Sequence, residues 1–95
     1  MLARVPRVKK RVQRTWRSDA RSDPATLRTL VSLGERIRQL RIERGATQEG
    51  LAEKAAISVQ HLLDLEHGRS NPTLASLCGI ARGLDVKLRD LFKEL

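Results

Sequence analysis

The side chains best suited to chemistry in this chain are arginines and lysines gathered near its start. Residues 1–32 hold nine basic and two acidic residues, whereas residues 33–95 hold ten basic and nine acidic ones, so the net charge of +8 belongs almost wholly to the first third. Such a block of like charge indicates an interaction with a polyanion. The candidate contacts in this basic arm, residues 1–22, are Arg4, Arg7, Lys9, Lys10, Arg11, Arg14 and Arg17.

Residue sets typical of catalysis or metal binding do not occur in the sequence. His61 and His67 are six positions apart, off a common helical face, with no cluster of cysteines and acids around them. The single cysteine, Cys78, excludes an intramolecular disulfide and is expected to be a small core residue. Serine and threonine stand where helices would begin rather than beside a base. We therefore expect no enzyme activity, metal, cofactor or small-molecule ligand.

Helices must position whatever function the chain has. Leu, Ile, Val and Ala dominate its apolar content, two aromatic residues are present, and no alternating strand pattern occurs. Asp23-Pro24 predicts a helix start, and Gly34 is expected to divide that stretch into a lead-in helix and a main helix. The predicted organisation is the arm over 1–22, the lead-in helix over 23–33 and a folded domain over 34–95, with helices near 34–44, 47–55, 58–67, 73–85 and 87–94.

Two of these helices form a helix-turn-helix pattern. Each is short and opens at a capping hydroxyl, Thr47 for the first and Ser58 for the second, and a tight turn at residues 56–57 separates them. Such helices cross closely, which requires a small side chain, and Ala52 supplies it.

Residues 33–92 resemble the Cro-like, XRE-type family of phage-repressor helix-turn-helix proteins. The resemblance is carried by three segments: Thr47-Gln48-Glu49 with Leu51-Ala52, Leu65-Glu66 with Gly68, and Asn71-Pro72-Thr73-Leu74. It implies an all-α, five-helix bundle that follows the basic N-terminal arm, and whose second and third helices contact double-stranded DNA.

The resemblance also implies a set of site residues. Base edges in the major groove would meet the recognition helix, 58–67, through Val59, Gln60, His61 and Asp64. Gln60 suits adenine, and Asp64 suits the amino group of cytosine. The DNA backbone would be held by Thr47, Gln48, Ser58, Arg69, Ser70 and Asn71. Arg41 and Glu66 would form a structural ion pair between the first and third helices.

Three positions depart from the family pattern. Ala56 stands at a turn position that is often glycine, where a positive φ disfavours a side chain. Gly50 lies inside the second helix, which costs about 1 kcal/mol relative to alanine. Asp85 replaces a frequent glycine at the exit of the fourth helix.

The expected function is sequence-specific DNA binding by a transcriptional regulator, with a repressor favoured, in the cytoplasm and associated with the nucleoid. The resemblance equally admits an antitoxin or a restriction–modification controller. A protein-bridging adaptor is the alternative from another class, and non-specific packaging fits poorly with the nearly neutral folded part. No apolar run approaches the roughly 18 residues of a membrane span.

Two further points stay open at this stage. Leu84, Val86, Leu88, Leu91 and Leu95 exceed what a small bundle easily buries, which favours a homodimer around the fifth helix over an ordinary terminal core. The basic arm could follow DNA phosphates or enter a minor groove, serve as a targeting extension, or be a leader without function.

Overall fold

Five α-helices make up residues 23–95, the part of the chain that the computed structural model describes. In chain order they are α1 Pro24–Glu43, α2 Gln48–Ala55, α3 Val59–Glu66, α4 Leu74–Leu84 and α5 Leu88–Leu91. These residues include no β-strand, and none of their helices has the length and apolar character needed to cross a membrane. The predicted all-α, five-helix class is therefore confirmed.

Side-chain caps fix where the first four helices begin. Each capping oxygen accepts the backbone N–H of the residue three positions later, at 2.9 to 3.0 Å: Asp23 from Thr26, Thr47 from Gly50, Ser58 from His61 and Thr73 from Ser76. A cap of this kind stabilises a helix by about 1 kcal/mol and leaves no freedom in its starting residue. The sequence signals for these starts are local, and the structure follows them.

The core joins α2 to α4 and α1 to α3. Its largest fully buried side chains come from all five helices: Ile37, Leu51, Leu62, Ile80, Leu84 and Leu91. The most extensive contact between helices is that of α2 with α4, followed by that of α1 with α3. Each of these side chains contributes about 1.5–3 kcal/mol through removal from water. The core therefore fixes α2 and α3 in place through their buried faces.

The prediction of a separate lead-in helix over 23–33 is wrong, because α1 continues without a break from Pro24 to Glu43. Gly34 lies inside it and serves packing rather than a kink. A Cβ at this position would lie 2.7 Å from the carbonyl oxygen of Glu66 and also against that of Leu65. Glycine is the residue that lets α1 approach the end of α3 this closely.

The end of the chain also differs from the prediction. The expected helix over 87–94 is one turn, α5, and Glu94 beyond it has a φ of 64°. Leu84 and Leu91, two of the residues assigned to a dimer surface, are buried in the core. Phe92 and Leu95 remain exposed, at 43% and 44%, so the apolar surface left for a partner is smaller than expected.

Candidate nucleic-acid interface

The connection between α2 and α3 is a tight turn closed by backbone hydrogen bonds. Ala56 is left-handed, with φ 60° and ψ 40°, and its N–H donates to the carbonyl of Glu53 at 3.1 Å. The N–H of Ile57 donates to the carbonyl of Ala52 at 3.0 Å, and Ser58 then caps α3. This geometry sets the angle between the two helices, and Ala56 adopts it despite its Cβ.

Helix α3 has one face in the core and one toward solvent. Leu62, Leu65 and Glu66 are buried. The opposite side, which we call the outer face, consists of Gln60, Leu63, Asp64 and His67, of which Gln60 and His67 are exposed and the other two half-buried. The spacing of three and four residues places these side chains in one row along the helix.

The outer face differs from the predicted set of base-reading residues. Val59 is half-buried and packs against the core, so it offers less surface to solvent than Gln60 does, and its contact with a base stays a prediction. His61 lies at the edge, with its Nε2 3.5 Å from Oγ of Ser76 on α4. Leu63 and His67 were not predicted, although a helical repeat counted from Gln60 leads directly to both positions.

A three-residue hydrogen-bonded group occupies the middle of the outer face. Gln60 Nε2 donates to Oδ1 of Asp64 at 3.1 Å, and the Arg69 guanidinium donates to the same oxygen at 3.2 Å. Gln60 and Asp64 stand one helical turn apart, while Arg69 comes from the loop that follows α3. The predicted base reader, the predicted cytosine acceptor and a predicted phosphate contact are thus joined.

A buried ion pair holds α3 against the helices that precede it. Arg41 on α1 donates through Nε to Glu66 Oε2 at 2.7 Å and through a second nitrogen to Oε1 at 3.2 Å. Its third nitrogen donates to the carbonyl of Ala46 at 3.0 Å. Gln48, at the start of α2, donates its amide N–H to Glu66 Oε1 at 3.2 Å. The carboxylate therefore ties α1, α2 and α3 together.

The remaining predicted contacts lie around this centre. Thr47 and Ser58 use their hydroxyl oxygens as helix caps, and Gln48 has its amide committed to Glu66. In the loop after α3, Arg69 and Asn71 are exposed, whereas the hydroxyl of Ser70 is buried with no hydrogen-bond partner. The seven predicted contacts of the basic arm lie outside the described residues.

The similarity of this chain to known proteins covers the same helices. The helix-turn-helix family HTH_3 matches residues 37–91, from the middle of α1 to the end of α5. The chain belongs to this helix-turn-helix family. The predicted resemblance to XRE-type helix-turn-helix proteins is thereby confirmed.

Curated relatives of this helix-turn-helix protein include regulators and a phage repressor. The HTH-type transcriptional regulator DdrOP3 of Deinococcus deserti is 43% identical over 63 residues, which cover 66% of this chain and 49% of the relative. The immunity repressor protein of Bacillus phage phi105 is 39% identical over 64 residues, covering 67% of this chain and 44% of the relative. The chain thus spans about half the length of each of these two relatives.

A solved structure matches the same region. The restriction-modification controller protein C.AhdI from Aeromonas hydrophila superposes with a TM-score of 0.66 at 35% identity, covering 66% of this chain and 96% of that chain. The similarity therefore extends over nearly the whole of the controller.

Proposed function

We propose that this helix-turn-helix protein is a transcriptional regulator rather than an enzyme, and that it binds double-stranded DNA sequence-specifically in the cytoplasm, in contact with the nucleoid. The observation that carries the proposal is the outer face of α3. It is a row of mostly polar side chains that the core does not use, on a helix fixed by a tight turn and a buried ion pair. A helix of this kind fits the major groove of DNA.

Within this function, the residues divide into two groups. Gln60 reads a base edge, because an amide can bond adenine through one donor and one acceptor. The N-terminal turn of α2 and the exposed loop residues Arg69 and Asn71 hold phosphates, which fixes the register without reading sequence. The Ser70 hydroxyl is buried and does not take part in these contacts. The basic arm adds phosphate contacts beside the folded domain.

The regulator acts as a homodimer and a repressor. Exposed Phe92 and Leu95, beside α5, supply apolar surface for a two-fold contact. A dimer of helix-turn-helix units reads half-sites about 34–36 Å apart on one face of DNA. Repression is the favoured sign because one relative is named an immunity repressor. Sedimentation of the protein with a two-fold DNA duplex should give two copies per duplex, and one copy would contradict the dimer.

Selection of bound duplexes from a random pool, at about 150 mM salt, tests the function. We expect a two-fold motif whose sharpest positions depend on Gln60. The variant Gln60→Ala should lose preference at one position of each half-site, worth about 1–3 kcal/mol. Gln39→Ala is the matched control, since Gln39 is an exposed glutamine on α1 and is not part of the outer face. Recovery of no motif by the unchanged protein would contradict sequence-specific regulation.

A controller of restriction–modification genes is the second candidate, favoured by the match that covers 96% of C.AhdI. It predicts that the selected motif occurs upstream of a restriction enzyme gene. An antitoxin predicts a motif upstream of its own gene and a stable complex with a toxin. An adaptor predicts a stable protein complex and no motif at all.

A further inference from the structure

The Gln60 amide on the outer face is held in one orientation by its neighbour. Asp64 Oδ1 accepts a hydrogen bond from Gln60 Nε2 at 3.1 Å. An ionised carboxylate has no proton to donate, so the Gln60 oxygen cannot take the place of its nitrogen in this contact. The two flip states of the amide, which are close in energy for a free glutamine side chain, are therefore made unequal by Asp64.

This orientation determines which hydrogen-bonding groups Gln60 has left to offer. One N–H is spent on Asp64, so one N–H and the oxygen Oε1 remain. That pair complements adenine, which presents an acceptor at N7 and a donor at N6 in the major groove. Guanine presents two acceptors there, at N7 and O6, and the fixed oxygen of Gln60 would face one of them without a proton between.

We infer that Asp64 is a positioning residue that determines specificity: it fixes the Gln60 amide so that it accepts adenine and rejects guanine. The inference rests on the proposed DNA-binding function and changes one of its assignments. The sequence alone predicts that Asp64 accepts a hydrogen bond from cytosine, whereas here it acts through Gln60.

Arg69 makes a carboxylate tolerable at a surface that faces DNA. Its guanidinium donates to the same oxygen of Asp64 at 3.2 Å, and the side chains of Arg69 and Asp64 are 58% and 33% exposed. A bare carboxylate near phosphates would repel DNA of any sequence, and the paired arginine offsets that repulsion. Gln60, Asp64 and Arg69 thus work as one unit on the outer face.

The test compares the motifs selected from a random duplex pool by the unchanged protein, Gln60→Ala, Asp64→Asn and the double variant. Asparagine keeps the shape of aspartate but offers either a donor or an acceptor, so both flip states of Gln60 become available. We expect Asp64→Asn to relax the same motif position as Gln60→Ala, with the adenine-over-guanine preference, about 5- to 150-fold in the unchanged protein, falling towards one. The double variant should be no less selective than Gln60→Ala alone.

Asp85→Asn is the matched control, because it removes the same charge from an exposed residue at the far end of α4. It should leave every motif position unchanged. If Asp64→Asn relaxes a separate cytosine position, and its effect adds to that of Gln60→Ala, Asp64 reads a base directly and the inference is overturned. Stronger binding of Asp64→Asn to all sequences with the motif intact overturns it too. If the unchanged protein selects no motif, the proposed function fails instead.

Discussion

Glu66 is a charged residue that the fold places among its core side chains. Its side chain is 1% exposed, and the Arg41 side chain that pairs with it is 12% exposed. Removing two charges from water costs several kcal/mol each, and the attraction within the pair offsets this when hydrogen bonds satisfy both partners. Arg41 and Gln48 provide those hydrogen bonds, so the pair serves to hold three helices in register more than to add net stability.

Removing one member of the ion pair should therefore destabilise the protein by much more than the pair contributes to its net stability. Glu66→Ala leaves the Arg41 guanidinium buried without a counter-charge, and we expect a loss of about 3–5 kcal/mol in the free energy of unfolding. Denaturation by urea measures it. The control Glu53→Ala, at an exposed position of α2, should change stability by less than about 0.5 kcal/mol. A small change in the free energy of unfolding of Glu66→Ala would mean that water hydrates the Arg41 guanidinium in the folded variant.

At Ala56, unlike Glu66, a single substitution should stabilise the protein. With φ at 60° its Cβ is strained, so Ala56→Gly should raise the free energy of unfolding by about 1 kcal/mol. Ala75→Gly, at an exposed helical position of α4, is the control and should lower it by about 0.5–1 kcal/mol. Thermal unfolding of both variants would show shifts of opposite sign, and a destabilised Ala56→Gly would refute the strain.

The sequence predicts the helices of this protein where their signals are local. Thr47, Ser58 and Thr73 specify helix starts through bonds to residues three positions away, so they could be recognised without a fold. The role of Gly34 could not be recognised in this way, because it depends on the close approach of Leu65 and Glu66 at the end of α3, which come more than thirty residues later. The packing of Val59 against the core could not be predicted either, because it depends on how the turn orients α3. The hydrogen bond between Gln60 and Asp64 could have been predicted from the sequence, since amide and acid side chains four residues apart often pair on helices.

The contact between α1 and α3 can be tested at Gly34. A methyl group there would press on the backbone carbonyls of Leu65 and Glu66, which cannot rotate away as a side chain could. We expect Gly34→Ala to destabilise the protein by about 1–3 kcal/mol, although alanine favours helices. Thermal unfolding measures this. Gly50→Ala, in the first turn of α2, is the comparison and should be better tolerated; equal effects would argue against close packing at Gly34.

Helix α5 carries a pH dependence through Asp90. The backbone N–H of Lys87 donates to its carboxylate at 2.9 Å and lowers the pKa of Asp90, and nearby Lys93 lowers it further. The folded state thus favours the ionised form. Its contribution to stability is present above the pKa of an unfolded aspartate, about 3.9, and is lost as the pH falls through the lower folded pKa.

Replacing Asp90 should remove that part of the acid sensitivity. Between pH 5 and pH 2 the free energy of unfolding of Asp90→Asn should fall less than that of the unchanged protein. Chemical denaturation at a series of pH values measures the difference, and Asp85→Asn provides the comparison with an exposed aspartate outside α5. Parallel curves for Asp90→Asn and the unchanged protein would contradict a folded-state role for this carboxylate.

At the scale of the whole molecule, charge and fold are separated along the chain. Residues 33–95 are nearly neutral, while the basic arm holds most of the positive charge. Under the proposed function the two parts contribute differently: the arm supplies attraction that any DNA provides, and the outer face of α3 supplies discrimination between sequences.

Deleting residues 1–22 should then weaken DNA binding and flatten its dependence on salt. The slope of log K against log salt should become shallower by roughly 0.9 for each phosphate that the arm no longer neutralises. A variant that keeps residues 1–22 but has the seven candidate cations of the arm changed to glutamine is the matched control, and it should behave like the deletion. We also expect the motif selected from a random pool to be the same with and without the arm. A salt slope that does not change on deletion would exclude the arm from DNA binding.

The two faces of α3 make this protein suitable for redesign. Folding depends on Leu62, Leu65 and Glu66, whereas the outer face contributes none of the buried core. A library that varies only the outer face should therefore consist mainly of folded proteins, and new target preferences could be selected from it without repair of stability. Under the proposed function, the same division would allow duplicated copies of the gene to acquire separate DNA targets through a few surface substitutions.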